Sequence, residues 1–262
     1  MIVVRLFALT AVFLLAFAGN STAEIATKDV VYQHGSVTLE GYLAYDDAQT
    51  GPRPGVLIVH QWKGLGDYEK MRAEMLADMG YVAFAVDMYG HGIRPTTSEQ
   101  ASEQATIYRS DRQLMRDRVT AGLDELRKVD LVDTSSIAAI GYCFGGGVVL
   151  ELARSGADIE GVVSFHGNLD TPDPSDANNI QCQVLVCHGA VDPYVPMEQV
   201  QAFWNEMSTA NVDWQLVAYG GAVHSFTHED AGTDTSSGSA YDADADWRSW
   251  RDMQQFFQEV LE

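Results

Sequence analysis

The stretch Ile137-Ala138-Ala139-Ile140-Gly141-Tyr142-Cys143-Phe144-Gly145-Gly146-Gly147-Val148-Val149-Leu150 constrains this chain more than any other. An apolar run ends at Gly141. A reactive residue and three glycines follow, then a second apolar run with helical spacing. The pattern reads as strand, sharp turn and helix, with Cys143 on the turn in a G-x-C-x-G arrangement. A residue on so tight a turn takes a strained backbone, and side chains two residues away would crowd it. The helix beginning there points free N–H groups at the thiol. That favours the thiolate and leaves the Phe144 N–H open to an oxyanion. A buried cysteine can equally be a small core hydrophobe, so the partners of Cys143 must decide.

A chain of 262 residues suits one α/β domain. An apolar share of 46% supplies a substantial core. The N-terminus reads as a signal peptide over residues 1–23, with residues 24–262 as the domain. Arg5 precedes the apolar run Leu6–Ala18, which is short for a bilayer, and Ser21-Thr22-Ala23 offers a cleavage site. The expectation is export to a periplasm or beyond, with no membrane attachment after cleavage. The 37 acidic residues against 16 basic ones argue against nucleic acid and anionic membranes as partners, and disfavour polyanionic substrates at long range.

Cys182 and Cys187 lie in an apolar stretch that reads as a buried strand. Five strand residues span ~16 Å and turn the two side chains to opposite faces, so they cannot pair. Both read as core residues, and Cys143 stays a free thiol.

The remaining chain alternates strands with helices. Residues 29–33 and 37–45 read as a hairpin joined at His34-Gly35. Gly55–His60 and Tyr81–Val86 read as buried strands around a helix over Tyr68–Met79. Thr96–Lys128 is helical with a break near Ser110-Asp111. Phe144–Arg154 is the helix after the Cys143 turn. Further strands are expected over Ile159–Phe165, Val184–Cys187 and Trp214–Tyr219, a helix over Met197–Met207, and a closing helix over Asp246–Leu261. This order predicts a mainly parallel central sheet flanked by helices on both faces. Ligands bind beyond the carboxyl ends of strands in such sheets. The rule gathers Gln61, Trp62, Cys143, Asp192 and His224 at one rim, with Tyr89 and His91 as further pocket candidates.

Nucleophile, acid and histidine follow in the chain order of α/β hydrolases: Cys143, Asp192, His224. Here the chain resembles the dienelactone hydrolase family over roughly residues 27–262. The matching pieces are His60-Gln61-Trp62-Lys63-Gly64-Leu65, Asp87-Met88-Tyr89-Gly90, Gly141-Tyr142-Cys143-Phe144-Gly145-Gly146, His188-Gly189-Ala190-Val191-Asp192-Pro193 and Gly221-Ala222-Val223-His224-Ser225-Phe226. The resemblance implies an α/β-hydrolase fold. It implies Cys143 as nucleophile, His224 as base, Asp192 as orienting acid, and the backbone N–H groups of Phe144 and Trp62 as oxyanion donors. No cofactor or metal is expected; the histidines lack a compact ligand spacing. His166 and His188 read as structural. The expected substrate is a small ester or lactone, and the chain a monomer or dimer.

Two positions depart from the family pattern. Gln61 stands where the member that names the family has a glutamate touching the resting thiol, so activation falls to His224 alone. That member also clamps a substrate carboxylate with arginines. Here His228 stands at one of those places, the stretch Gln100–Gln104 has no arginine, and spacing does not favour Arg94 or Arg109 as substitutes. A neutral ester or lactone is therefore expected. The contrasting expectation is a small-molecule binding protein of the same fold that has lost efficient catalysis.

Overall fold

The computed structural model describes residues 24–261. The proposed signal peptide lies outside the described residues. Strands β1 (Ile25–His34) and β2 (Val37–Asp46) form the expected hairpin, longer by Ile25–Lys28. Its turn holds Gly35 at φ 58°, a left-handed conformation that favours glycine. Next come β3 (Arg53–Val59), α1 (Asp67–Asp78) and β4 (Val82–Val86). The long helical segment is two helices, α2 (Ser98–Ser110) and α3 (Arg112–Leu126). Asp111 lies between them and caps α3 through the Leu114 N–H. Then follow β5 (Val132–Tyr142), α4 (Phe144–Arg154), β6 (Gly161–Phe165), β7 (Gln183–Gly189), α5 (Met197–Thr209), β8 (Trp214–Tyr219) and α6 (Ala243–Val260). Between β6 and β7 the chain makes a 3-10 turn over Pro174–Asn179.

The eight strands form one sheet in the order β1-β2-β4-β3-β5-β6-β7-β8. β1 and β2 run antiparallel to their neighbours, and β3 to β8 are mutually parallel. The continuous apolar strands are explained by two covered faces. In β3, Leu57 and Val59 point into one core layer, with residues of α2 to α5. Val56 and Ile58 point into the other, with residues of α1 and α6. Cys182 and Cys187 are divided the same way, one in each layer, and both are free thiols.

Three parallel strands therefore end at one edge with functional side chains following them. β5 leads to Cys143, β7 to Asp192, and β8 to His224. β3 ends beside them and delivers the loop from Gln61 to Gly66.

Candidate active site

Cys143 stands between β5 and α4 at φ 54° and ψ −113°, a strained conformation for a residue with a Cβ. The glycines around it are required by close backbone. A Cβ on Gly141 would stand 2.1 Å from the Gly145 carbonyl oxygen, and one on Gly145 2.2 Å from the Val59 carbonyl oxygen. α4 thus packs against β3 as closely as the main chain allows, and its first N–H, that of Phe144, faces the thiol.

His224 Nε2 lies 3.0 Å from Cys143 Sγ, and His224 Nδ1 lies 2.8 Å from Asp192 Oδ2. All three residues are buried. Asp192 is braced by the Tyr194 N–H, which donates to its Oδ1 at 2.8 Å. His224 is held through its main chain: its N–H donates to Gly238, and its carbonyl accepts from Ala240. Tyr194 ties the two loops together. Its ring meets the His224 ring edge-on at 5.3 Å, and its hydroxyl donates to the Ser237 carbonyl at 2.9 Å.

The electrostatics favour a thiolate–imidazolium pair. Burial alone would raise the Cys143 thiol, but the charge and hydrogen bond of His224, the Arg109 charge and the Phe144 N–H together bring it below its ordinary value. Burial likewise opposes a charge on His224, yet the Cys143 thiolate and the Asp192 carboxylate raise it to about 10. The neighbouring imidazoles do not compete. Burial, then the charge on His224, holds His166 well below the usual histidine range, and burial also lowers His188. His166 sits at φ 39° with its ring 5.2 Å from that of His224, and its Nε2 is bonded to Thr227 Oγ1 at 2.8 Å.

Phe144 opens α4 beside the thiol, while Trp62 is half-buried on the loop after β3. The Trp62 N–H has no hydrogen-bond acceptor among the described residues, and its carbonyl accepts the Tyr89 hydroxyl at 3.0 Å. Tyr89, predicted to line the pocket, is buried instead. It packs against His60 and Phe144, with ring centroids 4.7 and 5.6 Å away. Gln61 acts through its main chain: its N–H donates to Glu69 Oε1 and its carbonyl accepts from Gly64. His91 is not brought to the site. The chain turns outward after Gly90 (φ 136°), the His91 N–H pairs with Thr38, and its ring faces the Glu40 carboxylate at the surface.

A cavity of about 550 Å³ adjoins this constellation. Gln61, Trp62, Lys63, Glu69, Arg94 and His228 are among its lining residues. His228 stacks on Tyr68 with ring centroids 4.6 Å apart.

Sequence reasoning missed Glu69, Tyr194 and the placement of Arg109. Glu69 carries a faint signal, the Gly-x-x-Glu spacing of a helix start. Arg109 carries none: it is 34 positions before Cys143 in the chain, and only the packing of α2 over α4 sets its guanidinium 6.0 Å from the Phe144 ring. That guanidinium is engaged, donating to Asn168 Oδ1 at 2.7 Å. Arg94 is engaged as well, with the Ile93 carbonyl at 2.9 Å and the Asp87 carboxylate at 3.5 Å.

The same fold recurs in known proteins. The chain is 42% identical to a dienelactone hydrolase-like promiscuous phosphotriesterase from metagenomic libraries; the match covers 92% of this chain and all of that one, with a TM-score of 0.88. An uncharacterized protein of Caenorhabditis elegans is 39% identical over 56% of this chain and 94% of its own length. A protein of Synechocystis sp. with a provisional carboxymethylenebutenolidase name is 24% identical over 92% of this chain and 99% of its own. The model of the dienelactone hydrolase family matches residues 39–261. A sheet of this order, a sharp turn after its fifth strand and a match along nearly the whole described chain lead to one conclusion: the chain belongs to the dienelactone hydrolase family, has the α/β-hydrolase fold, and is a hydrolase of the ester and lactone type.

Proposed function

We propose that the chain hydrolyses small neutral esters or lactones through a Cys143 acyl-thioester. The observation that carries this reading is the buried hydrogen-bonded chain Cys143–His224–Asp192, 3.0 and 2.8 Å long, at the carboxyl edge of the sheet. The proton already resides on His224 in the resting pair. The thiolate attacks the carbonyl carbon, and the oxygen takes the negative charge between the N–H groups of Phe144 and Trp62. As the tetrahedral centre collapses, the C–O bond to the leaving alkoxide breaks and His224 gives it the proton. A water then loses a proton to His224 and attacks the thioester. The acid leaves and the thiolate–imidazolium pair returns. Asp192 keeps Nδ1 protonated and Nε2 aimed at sulfur throughout.

A neutral substrate is supported by the engagement of Arg94 and Arg109 with internal partners, which leaves neither as a dedicated carboxylate clamp. Gln61 supplies no proton acceptor at the thiol, so the base function falls to His224 alone. The relative with phosphotriesterase activity makes a neutral phosphotriester a sensible second probe.

The test is turnover of a short-chain aryl ester, a lactone and a neutral phosphotriester by the wild type beside Cys143→Ala and His224→Ala. Wild-type turnover of at least one probe is expected, with a loss of about 10³-fold or more in Cys143→Ala. Binding of these probes without turnover would instead favour the non-catalytic reading.

A further inference from the structure

Glu69 is a buried carboxylate with an unusual set of partners. It lies in the first turn of α1, is 2% exposed, and has no ion pair among the described residues. Glutamate is almost never so buried without a cation beside it. Its Oε2 accepts the Gly66 N–H at 3.0 Å, the bond expected of a glutamate in a capping box. Its Oε1 accepts the Gln61 N–H at 3.1 Å, which helix capping does not require. One carboxylate thus joins both ends of the loop from Gln61 to Gly66. The next N–H after the clamped one is that of Trp62.

We propose that Glu69 is a positioning residue for acyl transfer: its carboxylate ties the two ends of the Gln61–Gly66 loop together and so holds the Trp62 N–H where the oxyanion forms. This rests on the function proposed above. Two acceptor oxygens are needed for two N–H donors. An amide in its place turns one acceptor into a donor and leaves one loop N–H without a partner, and protonation of the carboxyl weakens one of its two acceptors. Tyr89 braces the next peptide of the loop through the Trp62 carbonyl.

The state of the carboxyl is set by its surroundings. Burial raises Glu69 to about 7, against the opposing pull of the Gln61 and Gly66 N–H groups and the Arg94 charge. Arg94 faces it from the loop after β4, Lys63 and Asp67 from its own loop and helix, and His228 and Asp230 across the cavity after β8. For an acid raised above its ordinary 4.5, the folded chain gains stability as pH falls from about 7 towards 4.5. The fold alone favours the neutral form. The charged form serves the loop.

The experiment compares wild type, Glu69→Gln and Cys143→Ala on a short-chain aryl ester from about pH 5.5 to about 8.5, beside deuterium exchange of the loop peptide in the wild type. We expect wild-type kcat to fall as pH drops through about 7. Glu69→Gln should lose roughly tenfold or more in kcat above that pH with KM nearly unchanged, and should lack that acid limb. Loop protection in the wild type should weaken over the same range, a readout that needs no variant to fold. A folded Glu69→Gln with wild-type kcat and an intact acid limb overturns the proposal and leaves a helix cap, even if its Tm drops. Loop protection unchanged through pH 7 overturns it too. Turnover that survives Cys143→Ala removes the Cys143 acyl-thioester reading and the proposal with it. Pure loss of kcat at constant KM, with Cys143-dependent turnover, is the supporting result.

Discussion

Cys143 and His224 share one proton, and three neighbours bias where it sits. Asp192 favours the imidazolium, and the Phe144 N–H and Arg109 favour the thiolate. The other two cysteines are the internal control. Burial raises both Cys182 and Cys187 to about 12, with no cation to offset it. Iodoacetamide should therefore add one group to the folded chain, at Cys143. Its rate should stay nearly level as pH falls from about 8 towards 7, where an ordinary thiol with pKa near 8.5 slows almost tenfold. A tenfold drop per unit would show a neutral thiol. The thiolate should also lose its imidazolium partner as pH rises through about 10, where His224 gives up its proton.

The turn between β5 and α4 works because two backbones touch. Gly145 lets α4 rest on the end of β3, and that contact keeps the Phe144 N–H and the loop after β3 on the same side of the thiol. Gly145→Ala puts a methyl 2.2 Å from a carbonyl oxygen that cannot swing away, so the helix must shift. The expected cost is about 1–3 kcal/mol of stability, at the upper end because the clash is with main chain. Thermal unfolding checks this, and the alkylation rate reports whether the thiol has lost its N–H. An unchanged Tm would show that α4 has room to move.

The whole chain carries a formal charge of −21, a field that acts on any charged molecule nearing the protein. An ester bearing a carboxylate should be repelled at low ionic strength and a neutral ester should not. Raising salt from about 10 mM to about 150 mM shortens the screening length from ~30 to ~8 Å. The value of kcat/KM should rise severalfold for the anionic ester and stay level for the neutral one. A flat response for both would mean that the acidic residues lie away from the approach path.

Strand–helix alternation, the break at Ser110-Asp111 and the start of α4 were legible because they depend on neighbours in the chain: apolar period, capping residues and glycine on tight turns. The order of Cys143, Asp192 and His224 was legible for a related reason, since each lies in the turn or loop after a strand and parallel strands end at one edge. Contacts made by approach in space were not legible. His91 lies two residues after Tyr89, yet it leaves the site because Gly90 turns the chain outward. Tyr89 proved to be a brace for Trp62, since packing against His60 and Phe144 buries its ring. Arg109 stands over the Phe144 ring through helix packing that no local pattern encodes, and Glu69 ties the loop after β3 by a second bond, to Gln61, that its capping spacing does not announce. Local chemistry settles which residues are reactive and which turn holds them. The charge, burial and aim of each group depend on partners far away in the chain, and only the folded packing of helices on the sheet brings those partners within a few ångströms.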